Sequence, residues 1–263
     1  MPAAGEASRM SPLPLSKELF PIGFYQQAGE NRLHPKPVCL NLLEKMRMAD
    51  VTEAYVVLRK GKWDIPAYLG DGKSLNMNIG YLIMDLPYGV PFTLDQAFPF
   101  IQDTTVVFGF PDTIFQPDDA FLRLLVKQAE CNADVVLGLF PAENPHKMDM
   151  VALNESGNVS CIQIKPTQTS LKYTWIIAVW NYAFTCYLHK FVNRHRQALS
   201  LEKNDRSQRY ANEIYISDVV QSALNSGYKI ENVVFNDGDY IDIGTPEDMV
   251  RATKVHLDQH RLD

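Results

Sequence analysis

Two aspartates stand at the ends of apolar, strand-like runs and could bind a metal ion. Asp112 follows the run from Val106 to Phe110, and Asp242 lies inside the segment from Tyr240 to Thr245. A carboxylate at the carboxyl end of a buried strand faces the crevice in which open α/β sheets bind their ligands. Two such carboxylates could hold Mg²⁺ while phosphate oxygens fill its remaining positions. The alternative is structural: Asp112 caps a turn and Asp242 is an ordinary loop acid.

The N-terminal segment combines small residues with two cations. Residues 2–8 read Pro-Ala-Ala-Gly-Glu-Ala-Ser, Arg9 follows directly, and Lys17 lies eight residues further on. Small residues such as Ala4 and Gly5 let backbone N–H groups approach phosphate oxygens closely, and the cations can neutralise their charge. Loops of this composition are common, so the segment alone does not distinguish a phosphate-binding loop from an ordinary surface loop.

The elements that must position these residues alternate in type along the first half of the chain. Strand-like runs lie at 54–58, 105–110 and 133–140, and amphipathic helical segments at 38–49 and 117–129. This alternation is typical of βαβ units and predicts an α/β fold with a mostly parallel or mixed sheet. Pro37 is placed to start the first helix, and Asp118 and Asp119 are expected in the first turn of the second.

The second half has a different pattern. Strand-like runs lie at 150–153, 159–164, 173–180 and 240–243, helical segments at 182–192 and 217–226, and a polar stretch at 200–211. Turn residues between the first three runs favour an antiparallel meander, and the polar stretch is expected to be a mobile loop. Gly227 is placed to end a helix, while Thr245 and Pro246 are placed to start the last one. No linker divides the chain, so residues 1–263 are expected to form a single domain.

The composition narrows the class of partner. The formal net charge is −6, and no basic stripe of the kind found in nucleic-acid-binding proteins is visible. No apolar run approaches the roughly 20 residues that span a membrane, and no signal peptide is recognisable. The four cysteines are far apart, which favours reduced thiols in a cytoplasmic protein over disulfides or a zinc site. A small molecule bound in a local pocket is therefore the expected partner.

Several segments match one known family in order along the chain. They are Ala3 to Arg9, Lys17 with Pro21-Ile22-Gly23, Lys36-Pro37, Tyr68 to Gly72, Leu86 to Gly89, Asp112, Lys165-Pro166, Asn212 to Asp218, and Asp242 to Asp248. On these segments the chain resembles the sugar-1-phosphate nucleotidyltransferase family and is nearest to its glucose-1-phosphate thymidylyltransferases. The match covers nearly the full length and is most specific at its two ends.

The resemblance implies a fold and an activity. The fold is Rossmann-like and of the GT-A type, an α/β/α sandwich with a central mixed, mostly parallel sheet. The N-terminal half would bind the nucleotide and the C-terminal half the sugar phosphate. The activity would be an Mg²⁺-dependent transfer that joins a sugar 1-phosphate to a nucleoside triphosphate and releases pyrophosphate. Because members of the family are often oligomers, a homo-oligomer is also possible.

The resemblance also implies roles for individual residues. Asp112 and Asp242 would hold Mg²⁺, Arg9 would stabilise the leaving pyrophosphate, and Lys17 would stabilise the reacting phosphates. On the substrate side the implied residues are Ala4 and Gly5 in the phosphate-binding loop, Gly89 against the base, where a side chain would intrude, and Lys165 on the sugar phosphate.

The chain departs from the family's pattern mostly where substrates are held. The departures are Ala7-Ser8 for Gly-Thr, Pro111 for a glycine, Ile164 for a glutamate, Met84 for a base-reading glutamine, Met148-Asp149 for Tyr-Gly, and the bulky Trp175-Ile176-Ile177. Methionine cannot form two hydrogen bonds with a pyrimidine edge, so thymidine is not assured. These changes predict altered specificity rather than lost activity.

Two alternatives to an active nucleotidyltransferase stay open. Ala7, Pro111 and the near-absence of a first strand after Met1-Pro2 are compatible with a catalytically silent regulatory protein that binds a nucleotide or a nucleotide sugar. A glycosyltransferase that shares the GT-A fold is the weaker alternative.

Overall fold

The computed structural model describes residues 1–26, 31–85, 87–200 and 213–259, without the side chains of 198–200 and 256–259. Residues 201–211 of the predicted mobile loop lie outside this part of the chain. So do Leu86 and Asn212, each of which belongs to a segment that matches the family.

The described residues form thirteen strands and seven α-helices. The strands are β1 (Pro2–Ala3), β2 (Pro21–Gln26), β3 (Leu33–Pro37), β4 (Glu53–Arg59), β5 (Asn78–Met84), β6 (Val106–Gly109), β7 (Thr113–Gln116), β8 (Val135–Pro141), β9 (Met150–Leu153), β10 (Val159–Gln163), β11 (Tyr173–Trp180), β12 (Ile230–Val234) and β13 (Asp239–Asp242). The helices are α1 (Val38–Met48), α2 (Asp64–Leu69), α3 (Val90–Asp95), α4 (Ala120–Cys131), α5 (Tyr182–Ser200), α6 (Ile216–Asn225) and α7 (Pro246–Gln259).

The strands form two larger sheets and two antiparallel pairs. The first sheet is parallel, with the order β1-β4-β5. The second has the order β10-β9-β11-β8-β12, and β6 also pairs with β11. In this sheet β12 runs parallel to β8 and the other pairs are antiparallel, as the predicted meander requires. The separate pairs are β2 with β3 and β13 with β7. The predicted α/β class is confirmed. The expected mostly parallel central sheet is not, because among the described strands the larger sheet has four antiparallel pairs and one parallel pair, and the all-parallel sheet has only three strands.

The first strand is short, as the sequence predicts. β1 contains two residues and pairs with β4 in the register Pro2 to Val57 and Ala3 to Leu58. The loop that begins at Ala4 therefore leaves the same end of the parallel sheet as the loop that follows Arg59. This arrangement brings the N-terminal segment to the edge where α/β sheets bind ligands.

The apolar spacing of the sequence explains the burial of α1. Val38, Leu42, Leu43 and Met46 recur at helical intervals, and all four are buried. Leu42, Leu43 and Met46 pack with side chains of β4, α2 and α4 in one core cluster, whereas Val38 belongs to a smaller cluster with Ile22 and Ile243. A second cluster lies around β8, β11, α5 and α6 and contains Phe108, Trp175, Trp180 and Phe184. These two clusters fix the helices against the sheets.

Helix α4 begins three residues later than predicted. Residues 117–119 form a turn, in which the Ala120 N–H donates to the Pro117 carbonyl at 3.3 Å. Asp119 is the N-cap residue, and Asp118 forms an ion pair with the buried Lys45 of α1. The two acids therefore lie before the first helical turn rather than in it.

Helix α5 is eight residues longer than predicted. It is tied to α3 through the buried carboxylate of Asp95, which interacts with His189 Nδ1 at 2.7 Å in the first half of the helix and with the Arg196 guanidinium at 3.2 Å in its polar second half. These contacts join residues about a hundred positions apart, so local apolar periodicity could not reveal them.

Candidate active site

One cavity brings all the predicted site residues together. It has a volume of about 410 Å³, and its lining includes every residue to which the family resemblance assigns a role: Ala4, Gly5, Arg9, Lys17, Gly89, Asp112, Lys165 and Asp242. These residues come from loops at the ends of β1, β6, β10 and β13 and from the segment before α3. The tertiary structure thus converts a set of scattered positions into one site.

The two aspartates are adjacent in the cavity wall. Asp112 lies between β6 and β7, Asp242 ends β13, and the Ile243 N–H donates to the Asp112 carbonyl at 2.9 Å. Burial, together with the negative charge of Asp112, raises the pKa of Asp242 to about 6. Because two close carboxylates in a poorly solvated place repel each other, the pair favours the binding of a cation.

Two cations compensate this negative charge. Lys17 Nζ forms an ion pair with Asp112 Oδ2. Burial lowers the pKa of Lys17, but attraction to Asp112 outweighs burial, so that the pKa is raised overall. The Arg9 guanidinium lies against Gly244, where an added Cβ would be 3.0 Å from an Arg9 nitrogen. Glycine at position 244 therefore leaves room for Arg9 beside Asp242. The positive charge of Arg9 lowers the pKa of Asp242, against the larger raising effect of burial and Asp112.

The donor set fits Mg²⁺ bound together with phosphates. Among the described residues, no group of three or more histidine, cysteine, aspartate or glutamate side chains could hold a metal ion. Mg²⁺ differs from many transition metals in that one or two carboxylates, waters and substrate phosphates form its usual coordination. Asp112 and Asp242 would supply the carboxylates, and the loop from Ala4 to Arg9, which lines the same cavity, would supply a place for phosphates.

The N-terminal loop has a backbone that favours glycine at one position. Ala7 has φ of 53°, and the Met10 N–H donates to its carbonyl at 2.9 Å. A Cβ in this left-handed region is strained, as expected for a position at which the family has glycine. A Cβ added at Gly5, in contrast, would meet no atom within 4 Å.

The turn that carries Lys17 is braced by the loop between β4 and α2. Lys62 Nζ lies 2.6 and 2.9 Å from the two carboxylate oxygens of Glu18, and both side chains are buried. The backbone N–H and hydroxyl of Ser16 donate to the Asp64 carboxylate at 2.6 and 2.7 Å. Sequence reasoning missed these residues because no local pattern links positions 16–18 to positions 62–64.

Gly89 is required by the chain itself. Its φ is 128°, and an added Cβ would lie 2.0 Å from the carbonyl oxygen of Ile214. The Ile214 N–H also donates to the Tyr88 carbonyl at 2.9 Å, so two backbone segments meet closely here. Met84, which aligns with the base-reading glutamine, ends β5 and is not among the described residues that line the cavity.

Lys165 lies at a strained position in another part of the cavity lining. Its φ is 40°, and its ammonium is 4.0 Å from the centre of the Tyr215 ring, a cation–π contact. Asp149 and Trp175 also line the cavity, and both are joined to the buried Ser217. The sequence indicated Asp149 only as a departure from the family's pattern.

Comparison with known proteins agrees with this geometry. The sequence model of the family described as nucleotidyl transferase matches residues 3–259. This chain belongs to the nucleotidyl transferase family. A low-salt glycan biosynthesis nucleotidyltransferase from Haloferax volcanii is 26% identical over 263 residues, which cover 99% of this chain and 66% of that protein. A glucose-1-phosphate thymidylyltransferase from Streptomyces griseus is 22% identical over 263 residues, 97% of this chain and 65% of that protein. The chain spans about two thirds of the length of these relatives.

A solved structure shows the same fold. It is described as a glucose-1-phosphate thymidylyltransferase from Bacillus anthracis in complex with sucrose, and it superposes with a TM-score of 0.77. The superposition covers 98% of this chain and 94% of that chain at 19% sequence identity. The Rossmann-like fold expected from the sequence is therefore confirmed.

Two further expectations from the sequence concern membrane spans and cysteines. No helix in the described part of the chain is long and apolar enough to cross a bilayer. The four cysteines are free, as predicted, and Cys39 is buried whereas the other three are partly exposed.

Proposed function

We propose that this protein is an Mg²⁺-dependent sugar-phosphate nucleotidyltransferase, which joins a sugar 1-phosphate to a nucleoside triphosphate and releases pyrophosphate. One observation carries the proposal: two adjacent carboxylates and two cations line the same cavity as Lys165. Such an arrangement suits phosphoryl-group chemistry, which depends on positioning and charge neutralisation and needs no covalent nucleophile. Membership of the nucleotidyl transferase family supports it.

The residues of the nucleotide side would act on the triphosphate. Backbone N–H groups near Ala4 and Gly5 approach its oxygens, Arg9 stabilises the leaving pyrophosphate, and Lys17 neutralises the reacting phosphates. Asp112 and Asp242 hold the Mg²⁺, which supplies charge stabilisation to the phosphates when bound.

The residues of the substrate side would hold the second reactant. Lys165 binds the phosphate of the sugar 1-phosphate and orients one of its oxygens for in-line attack on the α-phosphorus. The bond between that phosphorus and the pyrophosphate oxygen then breaks. The N-terminal half of the chain would bind the nucleotide and the C-terminal half the sugar phosphate. Free thiols and nucleotide substrates support a cytoplasmic location.

Pyrophosphate release by the purified protein tests the proposal. Five nucleoside triphosphates are combined with a panel of sugar 1-phosphates in the presence of Mg²⁺, and the active pair identifies both substrates. Asp112→Ala is expected to abolish release. Asp239→Ala, a change of an exposed carboxylate three residues before Asp242, is expected to leave it intact. Nucleotide or nucleotide-sugar binding without any release would instead favour the catalytically silent regulatory protein.

A further inference from the structure

The Lys165 ammonium has an aromatic partner and lacks an acidic one. Its nitrogen lies 4.0 Å from the centre of the Tyr215 ring, and both residues line the cavity. Lys165 is exposed, and no carboxylate in the described part of the chain forms an ion pair with it. An aromatic face attracts a cation without neutralising it. The positive charge is therefore available to an anion in the cavity.

The backbone of Tyr215 is fixed at the start of α6. Tyr215 is the N-cap residue of this helix. Its N–H donates to the Asp218 carboxylate at 2.8 Å, and the Asp218 N–H donates to the Tyr215 carbonyl at 3.0 Å. Ile216, the next residue, is buried in the core cluster around α5 and α6. The ring therefore projects from a rigid helix end rather than from a loose loop.

The same helix end acts on the backbone of Lys165. Lys165 has φ of 40°, a strained region for a residue with a Cβ. Burial raises the pKa of Asp149, whereas the Ser217 hydroxyl and the ammonium and backbone amide of Lys165 lower it. Ser217 lies on α6, and its hydroxyl donates to Asp149 Oδ2 at 2.5 Å. Because a strained conformation persists only where its surroundings determine it, Lys165 is held at its backbone as well as at its ammonium.

We propose that Tyr215 is a positioning residue, whose aromatic face holds the Lys165 ammonium in place for the phosphate of the sugar substrate. This inference rests on the proposed function, because it takes Lys165 as the phosphate-binding residue. The ring covers one side of the ammonium and leaves N–H donors on the other side for phosphate oxygens. Since a lysine side chain loses rotamer freedom when it binds a ligand, an ammonium that the ring already holds binds phosphate at a lower entropic cost.

The affinity of Tyr215 variants for sugar 1-phosphates tests the proposal. Calorimetry with each sugar 1-phosphate of the panel measures binding, and steady-state kinetics measure KM and kcat. Tyr215→Leu removes the aromatic face but keeps an apolar side chain, and the affinity is expected to fall by about threefold to thirtyfold, the range for a cation–π contact. The KM for the sugar phosphate is expected to rise in parallel. The kcat and the KM for the nucleoside triphosphate are expected to change little, because the contact is present in the ground state and the transition state alike.

Conservative variants distinguish the cation–π contact from simple packing. Tyr215→Phe keeps the ring face and is expected to keep the affinity. Phenylalanines with one, two and three fluorine atoms at position 215 retain the shape of the ring and weaken its quadrupole stepwise, so the affinity is expected to fall with each fluorine. A ring that acts only through packing would not produce this gradation. Tyr68→Leu, at an exposed tyrosine of α2 outside the cavity lining, is the matched control and should behave as wild type.

The binding measurements separate this inference from the proposed function. An affinity that follows the fluorine series, in a protein that never releases pyrophosphate, would reject the activity and retain the role of Tyr215. Unchanged affinity in Tyr215→Leu would overturn that role, with or without turnover. The same conclusion would follow if all the fluorinated variants bound like Tyr215→Phe, or if wild type bound none of the sugar phosphates. If Tyr215→Leu does not fold, the fluorinated series decides alone.

Discussion

At the scale of single residues, the charges around the cavity compensate one another before any substrate is present. Lys17 neutralises Asp112 directly, and Arg9 acts on Asp242. Lys17 and Asp112 are largely removed from water, whereas Arg9 is exposed. Deletion of Lys17 therefore leaves a poorly solvated carboxylate without its partner. In the proposed complex, substrate phosphates would pair with Arg9 and Lys17, and a divalent cation would pair with Asp112 and Asp242.

Replacement of Lys17 is predicted to remove activity more than binding. Lys17→Met keeps the approximate volume of the side chain but leaves Asp112 without its cation, and the proposed stabilisation of the reacting phosphates is lost. We expect kcat to fall by a factor on the order of 100 to 1,000, the usual effect of removing one transition-state donor. Steady-state kinetics with the active substrate pair provide the measurement.

A control shows whether position or charge is decisive at Lys17. Lys17→Arg retains the charge with a different shape and is expected to recover part of the lost kcat. If Lys17→Met has the kcat of wild type, Lys17 has no role in the reaction.

Replacement of Ala7 by glycine is predicted to stabilise the protein. The alanine has φ of 53°, a region that costs a residue with a Cβ about 1 kcal/mol or more. Ala7→Gly removes this strain, and the greater freedom of glycine in the unfolded chain offsets part of the gain. We expect the free energy of unfolding to rise by up to about 1 kcal/mol, as measured by urea denaturation.

A comparison with Ala3 makes the Ala7 measurement specific. Ala3 lies in β1 and is also small, but it has no positive φ. Ala3→Gly is therefore expected to destabilise the protein. Destabilisation by Ala7→Gly as well would contradict the strain at position 7.

At the scale of elements, the loop between β4 and α2 stabilises the turn of Lys17. Asp64, at the first position of α2, accepts two hydrogen bonds from Ser16, and Lys62 pairs with Glu18 on the other side of Lys17. Lys62 and Asp64, which are distant in the sequence from Lys17, thus hold the residues on either side of this proposed catalytic side chain. Rigid support of this kind is what an electrostatic site requires.

The contribution of Asp64 is predicted to depend on pH. Burial raises the pKa of Asp64, but the hydrogen bonds from Ser16 outweigh burial and lower it below its usual 3.8. A lowered folded-state pKa adds stability that is present above pH 3.8 and is lost as the pH falls through the folded-state value. Asp64→Asn is therefore expected to cost about 1 kcal/mol of unfolding free energy at neutral pH and less below about pH 4.

Denaturation curves of wild type and Asp64→Asn at pH 7 and at pH 3 check this dependence. Asp239→Asn, on an exposed carboxylate, serves as the control and should show little difference at either pH. A cost for Asp64→Asn that is equal at both pH values would mean that the charge of Asp64 does not contribute.

At the scale of the whole molecule, the site exists only where several elements converge. The two carboxylates proposed to hold the metal follow β6 and end β13, the loop proposed to bind phosphates follows β1, and Lys165 follows β10. Because only Asp112 and Asp242 are proposed to hold the metal, Mg²⁺ alone is expected to bind weakly, since it needs phosphate oxygens to complete its coordination.

Metal and nucleotide are therefore predicted to stabilise the protein together. A nucleoside triphosphate with Mg²⁺, at about 100 times its dissociation constant, adds about 2.7 kcal/mol of stability, whereas Mg²⁺ alone adds little. Addition of EDTA is expected to remove most of the gain. Thermal denaturation with each component provides the measurement, and Asp242→Asn is expected to lose the metal-dependent part. An equal gain with and without Mg²⁺ would argue against a metal bound by these residues.

Local patterns were sufficient to predict several elements. The apolar spacing of α1 reflects a helix with one buried face, and Thr245 accepts the Asp248 N–H at 3.3 Å as the predicted cap of α7. Gly227 has φ of 86° and follows Ser226, the C-cap residue of α6, as its predicted position requires. Patterns failed at the late start of α4 and the length of α5, because Lys45 and Asp95 act on these elements from distant parts of the sequence.

The sequence by itself determined the α/β class, most of the strands and helices, and the residue types around which a phosphate and metal site could form. Those inferences depend on local periodicity, on turn chemistry and on a family pattern, all of which are written in neighbouring positions. Only the tertiary structure decided that the eight predicted residues line one cavity and that Ile214 is what excludes a side chain from Gly89. Distances between remote segments and the satisfaction of buried hydrogen bonds are set by packing, which no local pattern encodes.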